Sequence, residues 1–457
     1  MPEIKEARAI IQKVLALAEA LPGSPQTEVQ LGGGRLALTR FAENAIHQNV
    51  EESNLEVSVR VLLDGGRSAR AATNRLTDEG LSAVVARALA LARLNAPDPE
   101  MLPLYAGSES ERTKVFETHV DAATDAFGPM DRAKAVVDVI AEVKKAGLKC
   151  AGRLSTRRGS IGSYGETGMF AMGNSEGLFR FYDSTRANFS LTVMGENSSG
   201  WSTGFAGRIG ELDLDSMARR AIRKAKESAD PVAVDPGEWT VILEPRAVAA
   251  LVSFLGWGMS GQSFLDGNTW TSGRKGKAVM GKNFHLSDDP FDPRAPSRPF
   301  DGEGVPTKAL ELVKGGVLNA IPWDRKAARR AGVASTGRGA VQPSDWSGGP
   351  GAMVVAGGEA SVEDLIRSTK KGILVTQLWY NRLVEPKDVV VTGMTRNGTF
   401  LIRDGELVKG VKNLRYNQSV LAAFRNIAAL GRPERAGGMI VPAMKIDGFR
   451  FSSVTRF

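Results

Sequence analysis

The stretch EVSVRVLLDGGRSARAATNRLTDEGLSAVVARALALARL (residues 56–94) contains the pattern that decides the fold of the first half of the chain. Polar and apolar residues alternate over Glu56–Leu62 and again, after a glycine turn, over Ser68–Thr73, which is typical of half-buried strands. Thr77 or Asp78 then caps a helix that runs towards the breaker Pro97. Strands joined by turns and followed by a helix predict an antiparallel sheet beneath a helical layer.

The same order of elements occurs twice before residue 235. In the first set, a helix around Ile10–Leu17 and a strand at Arg35–Ala42 precede the stretch above. In the second, a helix at 131–145 leads to four strand-like segments, Leu148–Thr156, Leu178–Tyr182, Ala187–Met194 and Trp201–Ala206, and to a helix ending before Asp230-Pro231. We therefore predict an α/β layer domain over residues 1–235 that contains a duplicated helix–antiparallel strands–helix unit.

A proline-punctuated junction, ADPVAVDPG (229–237), predicts a domain boundary. Residues 236–457 are rich in strand signals and predict a mostly β second domain, closed as a barrel or layered as a sandwich, so that the whole chain is α+β. Strands are expected at 239–243, 278–285, 309–313, 353–356, 373–378, 389–392, 398–402, 439–441 and 448–452. Helices are expected at 246–255, 362–370 and 419–430.

Composition narrows the class of protein. Of 457 residues, 42% are apolar and 24% charged, which excludes global disorder. The longest apolar stretch, Ala247–Met259, is too short to cross a bilayer, and the N-terminus lacks the features of a signal peptide. The single cysteine, Cys150, excludes an internal disulfide framework and a multi-cysteine zinc site. We therefore expect a cytoplasmic protein that does not associate with a membrane.

The net charge of +8 permits contact with nucleic acid, but the basic residues are scattered. Their densest cluster is Arg325-Lys326 with Arg329-Arg330, and Trp323 is the only aromatic residue close to it in sequence. This favours a solvated basic surface over a nucleic-acid interface.

Common catalytic motifs occur only as incomplete matches. Gly256–Gly261 matches GxGxxG but follows a helix instead of a strand, and Gly173–Gly177 matches GxSxG but lies in a predicted hairpin turn. Two groups of acids leave open a weak divalent-cation site, with turn carboxylates as the alternative. The groups are Asp288, Asp289 and Asp292, and Asp301 with Glu303. The three histidines, His47, His119 and His285, are far apart in sequence.

Several long strings resemble the TldD/PmbA family, also called modulators of DNA gyrase. They are ALTRFAENAIHQNVEESNLEVSVRVLLDGGRSARAATNRLTDEGL (37–81), FDGEGVPTKALELVKGGVLNAI (300–321), ASTGRG (334–339), GGEASVEDLIRSTKKGILVT (357–376) and RNGTFLIRDGELVKGVKNLRYNQSVL (396–421). The resemblance implies a dimer of two-domain subunits. TldD-type subunits of the family resemble zinc metallopeptidases with HExxxH on a helix of the second domain and a later cysteine ligand.

Here the zinc motif is absent. At the positions of the motif stand Val252, Ser253 and Trp257, which cannot replace two imidazoles and a general base. The stretch after the last predicted helix also lacks the cysteine. The resemblance is thus to the PmbA (TldE) type, which implies no metal in this chain, zinc in a TldD-type partner, and peptide substrates. We also predict that Trp257 packs into the space of the lost metal site.

The leading hypothesis is a non-catalytic subunit of a heterodimeric TldD/TldE-type metallopeptidase that helps to bind and gate extended peptides. The alternative is a stand-alone homodimeric peptide- or protein-binding module. An enzyme with an unrecognised acid site, and a gyrase or nucleic-acid binder, are further options. Candidate peptide-groove residues are Trp379, Tyr380, Arg382, Thr395, Arg396 and Asn397, although packing in the core or in a dimer interface would also explain the two aromatic residues.

Overall fold

The computed structural model describes residues 1–112, 114–159 and 169–455. It is an α+β structure whose strands form two sheets. The first sheet and its helices comprise α1 (Ile4–Glu19), β1 (Gln26–Ala42), β2 (Ala45–Leu63), β3 (Arg67–Thr73), α2 (Asp78–Leu94), α3 (Glu109–Arg112), α4 (Ala122–Asp125), α5 (Pro129–Lys145), β4 (Lys149–Gly159), β5 (Met169–Asn174), β6 (Phe179–Tyr182), β7 (Thr185–Met194), β8 (Ser199–Ala206), a 3₁₀ turn (Ile209–Glu211) and α6 (Leu214–Glu227).

The second sheet and its helices follow from residue 237. They comprise β9 (Gly237–Leu243), α7 (Pro245–Trp257), α8 (Gly261–Leu265), β10 (Leu286–Asp288), β11 (Leu310–Lys314), β12 (Val317–Leu318), α9 (Arg325–Ala331), β13 (Met353–Val355), α10 (Val362–Arg367), β14 (Lys371–Glu385), β15 (Val390–Arg403), β16 (Glu406–Gly410), β17 (Leu414–Ser419), α11 (Val420–Arg425), β18 (Ile427–Ala436) and β19 (Met439–Val454).

The first sheet has the strand order β3-β2-β1-β4-β7-β8, with the β5–β6 hairpin added against β1. All pairings in it are antiparallel, and the α1/α2 and α5/α6 pairs pack on its two halves. The predicted order of helix, antiparallel strands and helix, which occurs twice in this part of the chain, is confirmed. The predicted cap is present too, because the Thr77 side chain accepts a hydrogen bond from the Gly80 N–H.

Strand alternation gives the first sheet two chemically different faces. On β1, Val29 and Leu31 lie in the apolar core shared with α1 and α2. Their neighbours Glu28 and Gln30 are also buried, and the Gln30 amide donates a 3.0 Å hydrogen bond to the carbonyl of Gly302. The polar face of the sheet is therefore covered by loops that follow β9 in the chain.

The second sheet closes into a β-barrel. Its ring runs β9–β14–β15–β17–β19 and returns to β9, and the remaining strands extend it from β15 and β19. Helix α7 packs against β14, β18 and β19, and its apolar residues join the barrel residues in one buried cluster. The barrel form of the predicted β-rich region is thus the one observed.

Two predicted elements are wrong. Residues 278–285 form no strand, because the chain turns at Gly281 and Phe284 is buried in a stack on Phe424. The helix predicted over 419–430 ends at Arg425. Ile427–Ala436 is instead a strand, because β19 offers it an antiparallel partner. Tertiary pairing therefore overrides the local helical preference of this segment.

No helix among the described residues is both long and apolar enough to pass through a bilayer.

Candidate functional site

Helix α7 carries the three positions at which the family resemblance places the zinc motif. Val252 is fully buried in the core, while Ser253 is half-buried and its hydroxyl donates a 2.7 Å hydrogen bond to the Ala250 carbonyl. Trp257, the last residue of the helix, is 68% exposed. The three side chains therefore lie in three environments and do not converge on one point.

These residues do not fit a zinc ion. Valine has no donor atom, the Ser253 hydroxyl is engaged with the backbone, and an indole offers only an N–H. The lone cysteine, Cys150, is buried on β4 of the other sheet, where burial raises the pKa of its thiol to about 11. Among the residues that the structure describes, no group of three His, Cys, Asp or Glu side chains is placed to hold a metal.

The packing prediction for Trp257 is wrong. Its ring makes an edge contact with Phe254, at 4.8 Å between centroids, and otherwise projects from the end of the helix. The helix ends at Trp257 with Gly258 as its C-cap, so the GxGxxG string ends a helix instead of opening one. Val252, and not Trp257, belongs to the buried cluster at this part of the helix.

The hairpin of β14 and β15 carries the predicted peptide-groove residues. Trp379 and Tyr380 are 45% and 63% exposed, so neither belongs to the core of this chain. Between Trp379 and Arg382 the pairing of the two strands shifts, and Tyr380 has a φ of +55°, which a bulky residue rarely adopts. This bulge turns both aromatic side chains towards solvent.

Two arginines stack on these rings. The Arg396 guanidinium lies 4.8 Å from the Trp379 ring centre, and that of Arg382 lies 4.9 Å from the Tyr380 ring centre. Such cation–π contacts hold the exposed rings in place. The structure thus brings four of the six predicted residues into two adjacent pairs.

The other two predicted residues have structural partners. Thr395 is fully buried and its hydroxyl accepts a hydrogen bond from the Leu414 N–H at 3.0 Å. Asn397 lies at a left-handed turn position, contacts Gln377, and accepts a 3.2 Å hydrogen bond from the Ser199 hydroxyl on β8. Asn397 therefore connects the barrel to the first sheet.

Among the described residues, the outer edge of β14 has no strand partner beyond its short parallel pairing with β9. That pairing involves only Ile373–Val375, and from Gln377 to Glu385 the described pairings of β14 are all with β15. Leu383 and Val384 add exposed apolar side chains along this part of the strand. An unpaired strand edge next to aromatic side chains can accept an extended peptide through main-chain hydrogen bonds.

The acids considered as cation ligands are engaged with arginines and backbone N–H groups. Asp288 is buried and accepts hydrogen bonds from Arg338 at 2.5 Å and from the Ala352 N–H at 2.7 Å. Asp292 bonds Arg294, and Asp289 accepts from a turn N–H two residues on. These are the turn carboxylates of the alternative interpretation.

Asp301 and Glu303 form a buried pair where the barrel loops meet the first sheet. Asp301 accepts hydrogen bonds from three backbone N–H groups, including that of Gly339 at 2.7 Å, and Glu303 pairs with Arg325 at 3.2 Å. Desolvation raises the pKa of both carboxyls, and the negative charge of Asp301 raises that of Glu303 further.

Sequence reasoning missed the charged residues of the polar sheet face. On β4, Arg153, Ser155 and Arg157 alternate with core residues and face the barrel loops, together with Arg186 on β7. The period-2 pattern of these strands was the available signal. Only the fold shows that a second layer covers this face.

Three family models match the chain in order. They are described as PmbA/TldA metallopeptidase domain 1, central domain and C-terminal domain, and they match residues 28–92, 129–229 and 236–453. The chain belongs to the PmbA/TldD family.

Relatives and solved structures of this family match almost the full chain. "Metalloprotease PmbA" of Escherichia coli O157:H7 is 24% identical over 98% of both chains, and "Metalloprotease PmbA homolog" of Haemophilus influenzae is 24% identical over 97% of this chain and 96% of its own. The crystal structure of TldE from Thermococcus kodakarensis superimposes with a TM-score of 0.83 at 22% identity, covering 97% of this chain and 99% of that one. These matches confirm the family and the fold.

A TldD homologue also matches part of the chain. "Metalloprotease TldD homolog" of Haemophilus influenzae is 25% identical over 49% of this chain and 49% of its own. Both types of family member are therefore related to this PmbA/TldD protein.

Proposed function

We propose that this PmbA/TldD protein is a non-catalytic, TldE-type subunit of a heterodimeric zinc metallopeptidase. The observation that supports this most is on α7, where Val252, Ser253 and Trp257 stand in place of the ligands and the general base. A TldD-type partner would supply the zinc and the water-activating carboxylate. This chain would add substrate-holding surface in a cytoplasmic complex.

The part of the chain proposed to hold the peptide is the open edge of β14. An extended substrate would add to Gln377–Glu385 as a further strand, and the Trp379 and Tyr380 rings would contact its side chains. The stacked Arg382 and Arg396 keep these rings ordered before the peptide arrives, which lowers the entropic cost of binding.

Reconstitution tests the catalytic assignment. The full chain is purified alone, with a TldD-type subunit, and with that subunit carrying its HExxxH glutamate changed to glutamine, and cleavage of an unfolded peptide is measured. We expect cleavage only with the intact partner, and loss of cleavage with chelator. Cleavage by this chain alone at the rate of the complex, unaffected by chelator, would refute the proposal.

Substitutions on the hairpin test the peptide surface. Trp379→Ala and Tyr380→Gly are expected to weaken binding of a fluorescent extended peptide by about tenfold while leaving the folded structure intact, since both side chains are exposed. Trp346→Ala is the matched control, because Trp346 is 65% exposed on a different loop. Equal loss of binding in all three variants would contradict the assignment.

The second candidate is a homodimeric binding module without proteolysis. The exposed β14 edge favours this module, because peptide capture at a strand edge needs no metal. Native mass measurement of the chain, with and without a TldD-type subunit, separates the two. A homodimer that persists in the presence of the partner supports the module, and subunit exchange into a heterodimer supports the peptidase.

A further inference from the structure

A cavity of about 230 Å³ lies between the polar face of the first sheet and the barrel loops. One wall consists of Arg153, Arg157 and Arg186 on β4 and β7. The opposite wall includes Arg435, near the β18–β19 turn, and that turn's Gly437 and Gly438. None of the lining residues that the structure describes is an aspartate or a glutamate. The described lining therefore contains arginine side chains and no carboxylate.

Arg246 reinforces this charge from the first turn of α7. Its guanidinium lies 5.9 Å from the centre of the Phe205 ring, which lines the cavity. It also lies next to Gly437, where an added Cβ atom would be 3.2 Å from one guanidinium nitrogen. Burial lowers the pKa of Arg246, and the positive charge of Arg153 lowers it further. No hydrogen bond to a carboxylate stabilises either group within the described structure.

Arg435 is in the same situation. Its side chain donates to the Arg294 carbonyl at 3.3 Å, but its buried Nε has no hydrogen-bond partner among the described residues. Burial and the charge of Arg186 both lower its pKa, while Glu211, outside the lining, acts in the opposite direction. Arg246 and Arg435 are both half-buried, and a guanidinium group taken out of water is costly unless an anion compensates its charge.

We propose that this cavity is a binding site for an oxyanion, a carboxylate or a phosphate, held by Arg153, Arg246 and Arg435. Arginine suits such a ligand because its planar fork donates two parallel hydrogen bonds to paired oxygens. The available volume accommodates a single phosphate or one carboxylate-bearing residue of a peptide together with water. The site is independent of α7's lost zinc motif and of the β14 edge.

Calorimetric titration of the full chain with inorganic phosphate, at constant ionic strength, tests the site. Wild-type protein is expected to bind one phosphate saturably, and Arg435→Gln and Arg153→Gln are expected to raise the Kd at least fivefold. Arg432→Gln is the matched control, since Arg432 lies exposed on the same strand, β18, outside the cavity lining. Arg153 is exposed, so its variant keeps the test valid if Arg435→Gln fails to fold.

Competition by two peptides of one sequence, one with a free C-terminal carboxylate and one amidated, then identifies the source of the anion. Displacement of phosphate by the free acid alone indicates a peptide carboxylate, and displacement by neither indicates free phosphate. The absence of saturable binding, or equal affinity in wild type, Arg435→Gln and Arg153→Gln, would overturn the proposal.

Discussion

At the scale of single residues, Val252, Ser253 and Trp257 give α7 no usual zinc ligand at the three positions that the family resemblance assigns to the motif. The helix keeps its apolar face against the barrel, and Val252 contributes to that face with no exposed surface. Ser253 and Trp257 are four residues apart and so lie on one side of the helix, where Ser253 is half-buried and Trp257 is exposed. The position that the family resemblance assigns to the first imidazole is therefore part of the core.

Restoring the motif should fail at this residue. Val252→His is expected to lower the free energy of unfolding by about 2–4 kcal/mol, because a larger polar ring would be buried among apolar side chains. Trp257→His, at an exposed position, should cost less than about 1 kcal/mol. Urea denaturation measures both. Metal analysis of the triple variant with Ser253→Glu should find no bound zinc, and one equivalent of zinc would contradict this account.

The buried pair Asp301 and Glu303 makes stability depend on pH. The pKa of Glu303 is raised to about 7, so the folded protein binds a proton there that the unfolded chain has already lost. The contribution of this residue to stability therefore falls as pH rises from about 4.5 to about 7.

Glu303→Gln should remove that dependence. Between pH 5 and pH 8, the free energy of unfolding of the variant is expected to rise by on the order of 1–3 kcal/mol relative to that of wild type. This change is separate from the cost of losing the Arg325 ion pair, which applies at both pH values. Denaturant titrations at the two pH values measure the difference. Exposed Glu56→Gln is the control, and an equal pH response in both variants would show that burial of Glu303 is not the cause.

At the scale of elements, the β14–β15 hairpin is shaped by its bulge. Asn381 accepts a 2.7 Å hydrogen bond from the buried Tyr416 hydroxyl, and Gly393 on β15 leaves the space in which the two side chains meet. The bulge that carries Trp379 and Tyr380 therefore also contains a polar contact with the buried Tyr416.

Gly393→Ala should disturb this arrangement. The added Cβ would lie 2.8 Å from the Tyr416 ring and still closer to the Asn381 amide oxygen. We expect a loss of about 1–3 kcal/mol in the free energy of unfolding together with weaker peptide binding at Trp379 and Tyr380. Gly207→Ala is the matched control, because nothing lies within 4 Å of its Cβ position. Unchanged peptide affinity in Gly393→Ala would separate the bulge from binding.

At the scale of the whole molecule, a buried ion pair joins the two layers. Lys224 on α6 is 3% exposed, and its ammonium group bonds both carboxylate oxygens of Glu244, at 2.6 and 2.7 Å, where β9 leads into α7. Burial lowers the pKa of Lys224, while Glu244 opposes that effect. The contact fixes the first sheet's last helix to the start of the motif helix.

Removing one partner of this pair should cost more than removing both. Lys224→Met is expected to lower the free energy of unfolding by about 3 kcal/mol, because the Glu244 charge is left half-buried without its cation. The double variant Lys224→Met/Glu244→Leu should recover at least half of that loss. Urea denaturation of the single and double variants measures both quantities. A double variant less stable than Lys224→Met would contradict the explanation.

The sequence by itself determined the elements whose signals are local. The alternation over Glu56–Leu62 and the Thr77 cap are both readable from neighbouring residues, since strand period and helix capping depend on short-range sterics. The family resemblance followed from the same strings.

The tertiary structure alone decided what depends on residues distant in the chain. It shows that Ile427–Ala436 is a strand, that Trp257 is exposed and that Thr395 is buried. It also shows that Arg153 and Arg435, which are 282 residues apart in sequence, line the same cavity. Burial and charge proximity are properties of the packed layers, and the free energy that fixes them comes from contacts that no local pattern encodes.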